Sequence, residues 1–193
     1  MNKRSKTDIL IAGVGGQGTI LTGRVVAALA IAEGLDVKTA ETHGMAQRGG
    51  SVITHVRMGE KVYSPLIPRG NGDFLLSFEK LEALRWLPFL SPEGTVIVNT
   101  QELDPMPVLT GEAEYPGGIL EEIESKAARL IAVDALNIDP VKKNPRVVNT
   151  FLLGILARLM PFSREKWLQV LEQEIKASLV DINSQSFEAG WHY

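Results

Sequence analysis

The chain has 193 residues, enough to bury a substantial core as a single domain, and its 20 Lys and Arg against 23 Asp and Glu leave a net charge of −3. Such a balance excludes a basic nucleic-acid face, and no apolar run reaches the length of a membrane span. With no cysteine, a disulfide, a thiol nucleophile, a cysteine-held iron–sulfur cluster and a thiolate zinc site are excluded as well.

The start, MNKRSKTD, is basic, but the ILIAGVGG after it is too short and too glycine-broken for a secretory signal, so a cytoplasmic protein is expected. Residues 8–12 form a short apolar run, the pattern of a buried strand in a parallel sheet. Gly13-Val14-Gly15-Gly16-Gln17-Gly18 then spells G-x-G-x-x-G, and residues 20–32 carry helical periodicity. A glycine turn between a strand and a helix suits a phosphate. Glycine takes positive φ without cost and lets a ligand approach the backbone, while the helix N-terminus offers unpaired N–H groups and a positive dipole end. The bland alternative is a tight turn with no ligand. Thr19 and Ile20 follow the turn where a P-loop has lysine, so that class is excluded.

Within the helix, Leu21, Val25, Ala28 and Leu29 can face a sheet, and Gly34 ends it. Residues 36–42 read as a second strand, completing a β-α-β start. Glu41 stands roughly where a dinucleotide-binding domain keeps its ribose-binding acid. After a loop over 43–50, residues 51–58 alternate, with Val52, Thr54, Val56 and Met58 on one face and Ser51, Ile53, His55 and Arg57 on the other. Gly59-Glu60 reads as a hairpin turn into a strand over 61–63, and 64–72 as a Pro/Gly loop.

Further strands are expected over 73–78, 95–99 and 130–133, with helices over 79–87 and 119–128 and an irregular stretch over 100–118. Strands alternating with helices predict an α/β fold, a largely parallel sheet covered on both faces. Two C-terminal helices follow within 147–178. The first, over 147–160, is apolar nearly all round, hence buried in a core or an interface. The second is capped by Ser163 and carries a packing stripe of Trp167, Leu171 and Ile175. From Asn183 the chain reads as an irregular tail ending in Phe187, Trp191, His192 and Tyr193, which either meets a partner or packs on its own domain.

The loop His43-Gly44-Met45-Ala46-Gln47-Arg48-Gly49-Gly50-Ser51 is the second stretch able to meet a ligand. His43 could donate, accept or carry charge, and Arg48 offers a planar fork for a carboxylate or phosphate. Ligands of parallel sheets bind beyond the carboxyl ends of strands, so this loop and the glycine turn are expected to line one crevice. The candidates are therefore Gly13, Gly15, Gly16, Gln17 and Gly18 for a cofactor, and His43, Gln47, Arg48 and Ser51 for the cleft. His43 has a bland alternative as a strand-end cap, and Arg48 as an ion-pair partner of Glu41 or Glu60. The three histidines, at 43, 55 and 192, lie far apart, so no metal is expected, and no nucleophile–base–orienter set can be assembled.

GVGGQG followed by ETHGMAQRGGSVITHVRMGEKVYSPLIPRG, then DFLLSFEKLEALRWLPFL and GTVIVNT, resembles the gamma-subunit family of 2-oxoacid:ferredoxin oxidoreductases. Within it, HGMAQRGGSV points to the small (beta) subunits of the indolepyruvate enzymes. The likeness covers residues 7–160. It implies a three-layer α/β/α, Rossmann-like domain inside a larger enzyme. There, a large subunit carries thiamine diphosphate, Mg2+ and iron–sulfur clusters. Aryl pyruvates are oxidatively decarboxylated, with two electrons passed to ferredoxin and the acyl group to coenzyme A. This cysteine-free chain, which also lacks a GDG-type thiamine motif, would hold none of these groups alone and would complete the cleft. Two other readings stand beside that one: a freestanding domain using GVGGQG for NAD, a flavin or ATP, and a regulatory or scaffold protein with a vestigial turn.

Overall fold

The computed structural model describes residues 6–44 and 50–193. Along the chain run β1 (Lys6–Val14), α1 (Thr19–Ala32), β2 (Asp36–His43), β3 (Ser51–Gly59), β4 (Gly72–Ser77), α2 (Lys80–Trp86), β5 (Leu90–Asn99), α3 (Met106–Leu109), α4 (Ile119–Lys126), β6 (Arg129–Val133), α5 (Val148–Arg158), α6 (Arg164–Glu174) and α7 (Val180–Trp191). One six-stranded sheet has the order β2-β3-β1-β4-β5-β6. β1, β4, β5 and β6 are parallel, whereas β3 runs antiparallel to both β1 and β2. The expected α/β architecture, largely parallel and covered on both faces, is the one observed.

Alternation along β1 sorts the core. Ile9 and Ile11 face a cluster with Val25, Val26 and Leu29 of α1, Phe151 and Leu152 of α5, Trp167 of α6 and Phe187 of α7. Leu10 and Ala12 face the other side, with Ile53, Leu75, Val96 and Val98, beneath Ala83 of α2 and Ile119 and Ile123 of α4. The buried stripe of α1 is Thr22, Val25, Val26, Leu29 and Ala30. Leu21 and Ala28, expected on it, are only partly buried at its flank.

Four sequence expectations need correction. Residues 61–63 form no strand. β3 already has β1 on one edge and β2 on the other, so no edge is left for a hairpin partner. The segment after it instead crosses the α2 face as a strap. Ile67 is buried there and its N–H donates to His55 Nδ1 at 3.3 Å. Arg57 Nη1 donates to the carbonyls of Ser64 (3.0 Å) and Leu66 (2.7 Å) while its Nε meets Asp8 at 3.0 Å.

The tail from Asn183 is helical, as α7. Its buried stripe, Asn183, Ser186, Phe187 and Gly190, has helical spacing but is mostly polar or small, which hid it from a hydrophobicity reading. Asn183 Oδ1 accepts from Thr150 Oγ1 at 3.1 Å, and Ser186 Oγ donates to Val147 O at 2.7 Å, so the polar groups are satisfied against α5. The 100–118 stretch is broken by the single turn of α3, and β5 starts at Leu90 rather than at 95.

Candidate functional site: a glycine turn joined to the end of a hairpin loop

β1 ends at Val14, β2 ends at His43 and β3 begins at Ser51. The glycine turn and the two ends of the second stretch therefore sit at the carboxyl edge of the parallel strands, where α/β sheets bind ligands. Gly16 and Gly18 have φ of 101° and 92°, a region open to glycine. Gly18 caps α1, and among the described residues no side-chain cap bond reaches the free N–H groups behind it. An open cleft of about 610 Å³ lies in front of that helix end, lined among others by Gly15, Gly16, Gly18, Thr19, Arg24 and His43. Among the described residues nothing lies within 4 Å of where a Cβ on Gly16 would stand.

Gln17 turns away from that cleft. Its Oε1 accepts from Val14 N at 2.8 Å, and its Nε2 donates to Phe78 O at 3.2 Å and Gln101 Oε1 at 3.3 Å. The side chain thus ties the turn to the ends of β4 and β5. Buried Asn99 continues the tie, donating to Phe78 O and accepting from Ala135 N at 3.1 Å. Asn149 packs beneath the turn: a Cβ on Gly18 would lie 2.7 Å from its Nδ2. Its buried Oδ1 has no partner among the described residues.

The two stretches touch through backbone. Gly15 N donates to Gly50 O at 2.9 Å, and Gly44 N to Ser51 O at 3.1 Å. The Ser51 hydroxyl donates to Glu82 Oε2 on α2, whose Oε1 lies 3.4 Å from Arg85 Nε. Burial pushes the Glu82 carboxyl above its ordinary range, against the opposing pull of Ser51 and Arg85. Glu82 N in turn donates to Glu79 Oε2 at 2.8 Å, the cap of α2. Glu79 Oε1 accepts from Leu103 N at 3.3 Å and from the Tyr115 hydroxyl. Burial, then the Glu79 carboxylate, raise the Tyr115 phenol far above its usual range, so it stays a donor. A second cleft of about 810 Å³ opens on this side of the turn, between Gly15, Ser51, Glu82 and Met106.

His43 lines the first cleft and Ser51 the second, so the turn divides the two candidates. Gln47 and Arg48 lie outside the described residues. Glu41 is exposed on β2, and β3 separates it from the turn. Strands stand about 4.8 Å apart, so Glu41 is about twice as far from β1 as an acid on an adjacent strand would be. Glu79, Glu82, Tyr115 and Asn149 escaped the sequence reading. A faint signal existed in Glu79 and Glu82, two acids a helical turn apart on a short helix. Among the described residues no group of three or more His, Asp or Glu could hold a metal ion, and no helix is long and apolar enough to cross a membrane.

Comparison with known proteins gives the same answer from several sides. The model of the pyruvate ferredoxin/flavodoxin oxidoreductase family matches residues 8–193. Indolepyruvate oxidoreductase subunit IorB of Archaeoglobus fulgidus is 39% identical over 97% of this chain and 94% of its own length. The protein of the same name from Thermococcus kodakarensis is 36% identical over 95% and 93%. Among solved structures, the gamma subunit of a keto/oxoacid ferredoxin oxidoreductase from Geobacter sulfurreducens superposes with a TM-score of 0.69 at 22% identity, covering 96% of both chains. A 2-oxoglutarate:ferredoxin oxidoreductase from Magnetococcus marinus gives 0.73 at 21% identity, over 98% of this chain and 31% of that one. The family expected from GVGGQG and HGMAQRGGSV is the family found. Matched along nearly its whole length, the chain belongs to the pyruvate ferredoxin/flavodoxin oxidoreductase family.

Proposed function

We propose that this chain is the small subunit of a 2-oxoacid:ferredoxin oxidoreductase acting on aryl pyruvates such as indolepyruvate. The large subunit would carry thiamine diphosphate, Mg2+ and iron–sulfur clusters, and the two together would decarboxylate the 2-oxoacid, sending two electrons to ferredoxin and the acyl group to coenzyme A. The names of the relatives support the substrate class. When bound, thiamine diphosphate supplies the carbanion stabilisation that decarboxylation needs.

The observation that carries a direct role for this chain is the 2.9 Å bond from Gly15 N to Gly50 O, which joins the glycine turn to the hairpin loop at the ligand-binding edge of the sheet. Coenzyme A is the phosphate-bearing reactant that needs no metal cage, and the uncapped N-terminus of α1 suits one of its phosphates. Gly15, Gly16 and Gly18 leave the backbone open to it, Arg24 and His43 stand on the rim, and Gly13 and Gln17 hold the turn's shape. Gln47 and Arg48 would complete the cleft from the loop, while Ser51, on the other side of the turn, anchors the loop's end. The freestanding NAD reading is not favoured, because Glu41 is displaced from the turn by β3.

The test is co-expression with the large subunit, followed by an anaerobic assay of aryl-pyruvate- and coenzyme A-dependent reduction of a viologen dye. A brown complex whose activity needs both chains is expected. A chain that purifies alone and restores no activity overturns the reading. In the active complex, Gly16→Ala is expected to raise the KM for coenzyme A at least fivefold and leave the KM for the 2-oxoacid within twofold. An unchanged KM for coenzyme A removes the turn from the site.

A further inference from the structure

We propose that Glu82 is a positioning residue for the cleft: through the Ser51 hydroxyl it fixes where the hairpin loop leaves β3, and so keeps the Gly50 carbonyl on the Gly15 amide of the glycine turn. The inference rests on the reading of the turn as a phosphate site. Three observations lead to it. Glu82 is 4% exposed, yet a carboxyl is costly to bury unless it is well bonded. Its bonds are aimed at the site: Oε2 takes the hydroxyl of Ser51, the first residue of β3, and Oε1 faces Arg85. And Ser51 is the neighbour of Gly50, whose carbonyl meets Gly15.

Position on the chain makes the contact matter. Ser51 pairs with Val14 as the last step of the β1–β3 ladder, and past it the register gives no further strand pair to hold the loop. Among the described residues the Gly15–Gly50 bond alone carries the β1–β3 pairing further, with Gly44 N on Ser51 O closing the β2 side, and a backbone bond at a strand end frays easily unless the neighbouring residue is pinned. Glu82 pins it from a helix whose own cap, Glu79, is held by Leu103 and Tyr115. The carboxyl is therefore fixed on a rigid mount, the arrangement that a positioning group requires. A mainly stabilising role would call for an apolar side chain of the same size, which would fill this place on α2 without a desolvation cost.

The test uses the assembled complex with Ser51→Ala, Glu82→Gln, Glu82→Leu and the double variant Ser51→Ala/Glu82→Leu. The readouts are KM for coenzyme A, kcat, and hydrogen exchange of the peptide containing the Gly15 amide. Expected are a KM for coenzyme A raised at least fivefold in Ser51→Ala and Glu82→Leu, and kcat within twofold. Faster exchange at Gly15 should accompany it, with the double variant no worse than the poorer single one. Glu82→Gln keeps an acceptor for Ser51 and is expected to restore KM to within twofold. Ser51→Ala spares the core, so it carries the test if Glu82→Leu does not fold.

Unchanged exchange at Gly15 in Ser51→Ala overturns the positioning role, and so does a multiplicative effect in the double variant. If Gly16→Ala leaves the KM for coenzyme A unchanged while Gly15 exchange responds to Ser51→Ala, the phosphate reading has failed and the positioning of the loop stands.

Discussion

Gly190 of α7 lies against Phe151 of α5 so closely that a Cβ on it would stand 1.9 Å from the Phe151 carbonyl oxygen. The contact is reciprocal, since a Cβ on Gly154 of α5 would stand 2.2 Å from Phe187 O. Two glycines therefore let two backbones meet where side chains would hold them apart. Glycine inside a helix ordinarily costs about 0.5–1 kcal/mol relative to alanine, so Gly190→Ala on a free helix would be favourable. Here it is expected to destabilise the chain by about 3 kcal/mol or more, the upper range of overpacking. Urea unfolding of the purified chain measures it; a neutral or stabilising effect would show that α5 and α7 do not pack in this way.

Gln17 gives a second expectation. Gln17→Ala would strip the acceptor from Val14 N and one of two side-chain donors from Phe78 O, leaving Asn99 there. A buried group left unpaired costs about 1–3 kcal/mol. The loss should appear both in stability and as faster amide exchange at Val14, whereas unaltered exchange there would deny the side chain its role as a staple.

His55 makes the fold sensitive to acid. Burial first, and Arg57 second, lower its pKa below the ordinary 6.5. The unfolded chain then binds the proton more readily, so the contribution of the neutral ring is complete above pH 6.5 and is lost as pH falls below it. Protonation would also take Nδ1 from the Ile67 amide. Glu82, raised from 4.5, has the opposite slope, losing stability as pH rises through its folded pKa. Comparing wild type with His55→Leu at each pH cancels that term. The gap in unfolding free energy between the two should narrow from pH 7.5 to pH 5.5, and a constant gap would show that His55 does not titrate on folding.

Arg48 is expected to matter for turnover. Arg48→Ala in the assembled enzyme should lower kcat/KM at least tenfold, about 1.4 kcal/mol of transition-state stabilisation. Unchanged steady-state kinetics would take the loop out of the mechanism.

For the isolated chain, calorimetry with NAD should show weak binding or none, and Glu41→Ala should make no difference to it. A micromolar dissociation constant sensitive to Glu41 would revive the dinucleotide reading.

How much of this was legible in the sequence follows from what each feature depends on. The glycine turn, the first helix with its stop at Gly34 and the Ser163 cap were readable because each is set by neighbours within a few residues. The alternation of β3 was readable too, with Val56 and Met58 on one face and Ile53 on the other. The candidates Gly15, Gly16, Gly18 and His43 do share a cleft, because strand ends that point the same way bring their loops to one edge.

Sequence by itself thus determined the α/β alternation, the glycine turn and the family, all of which rest on local spacing and spelling. Tertiary structure alone decided that β3 inserts between β1 and β2, because strand order depends on which edges pair and leaves no mark on any one strand. It also decided that α7 is a helix, since its polar stripe is stabilised only once Thr150 and Val147 are there to bond it. And it placed Glu82 on Ser51, residues 31 apart in the chain, where a buried carboxyl is tolerated only because the fold brings it a hydroxyl and a guanidinium.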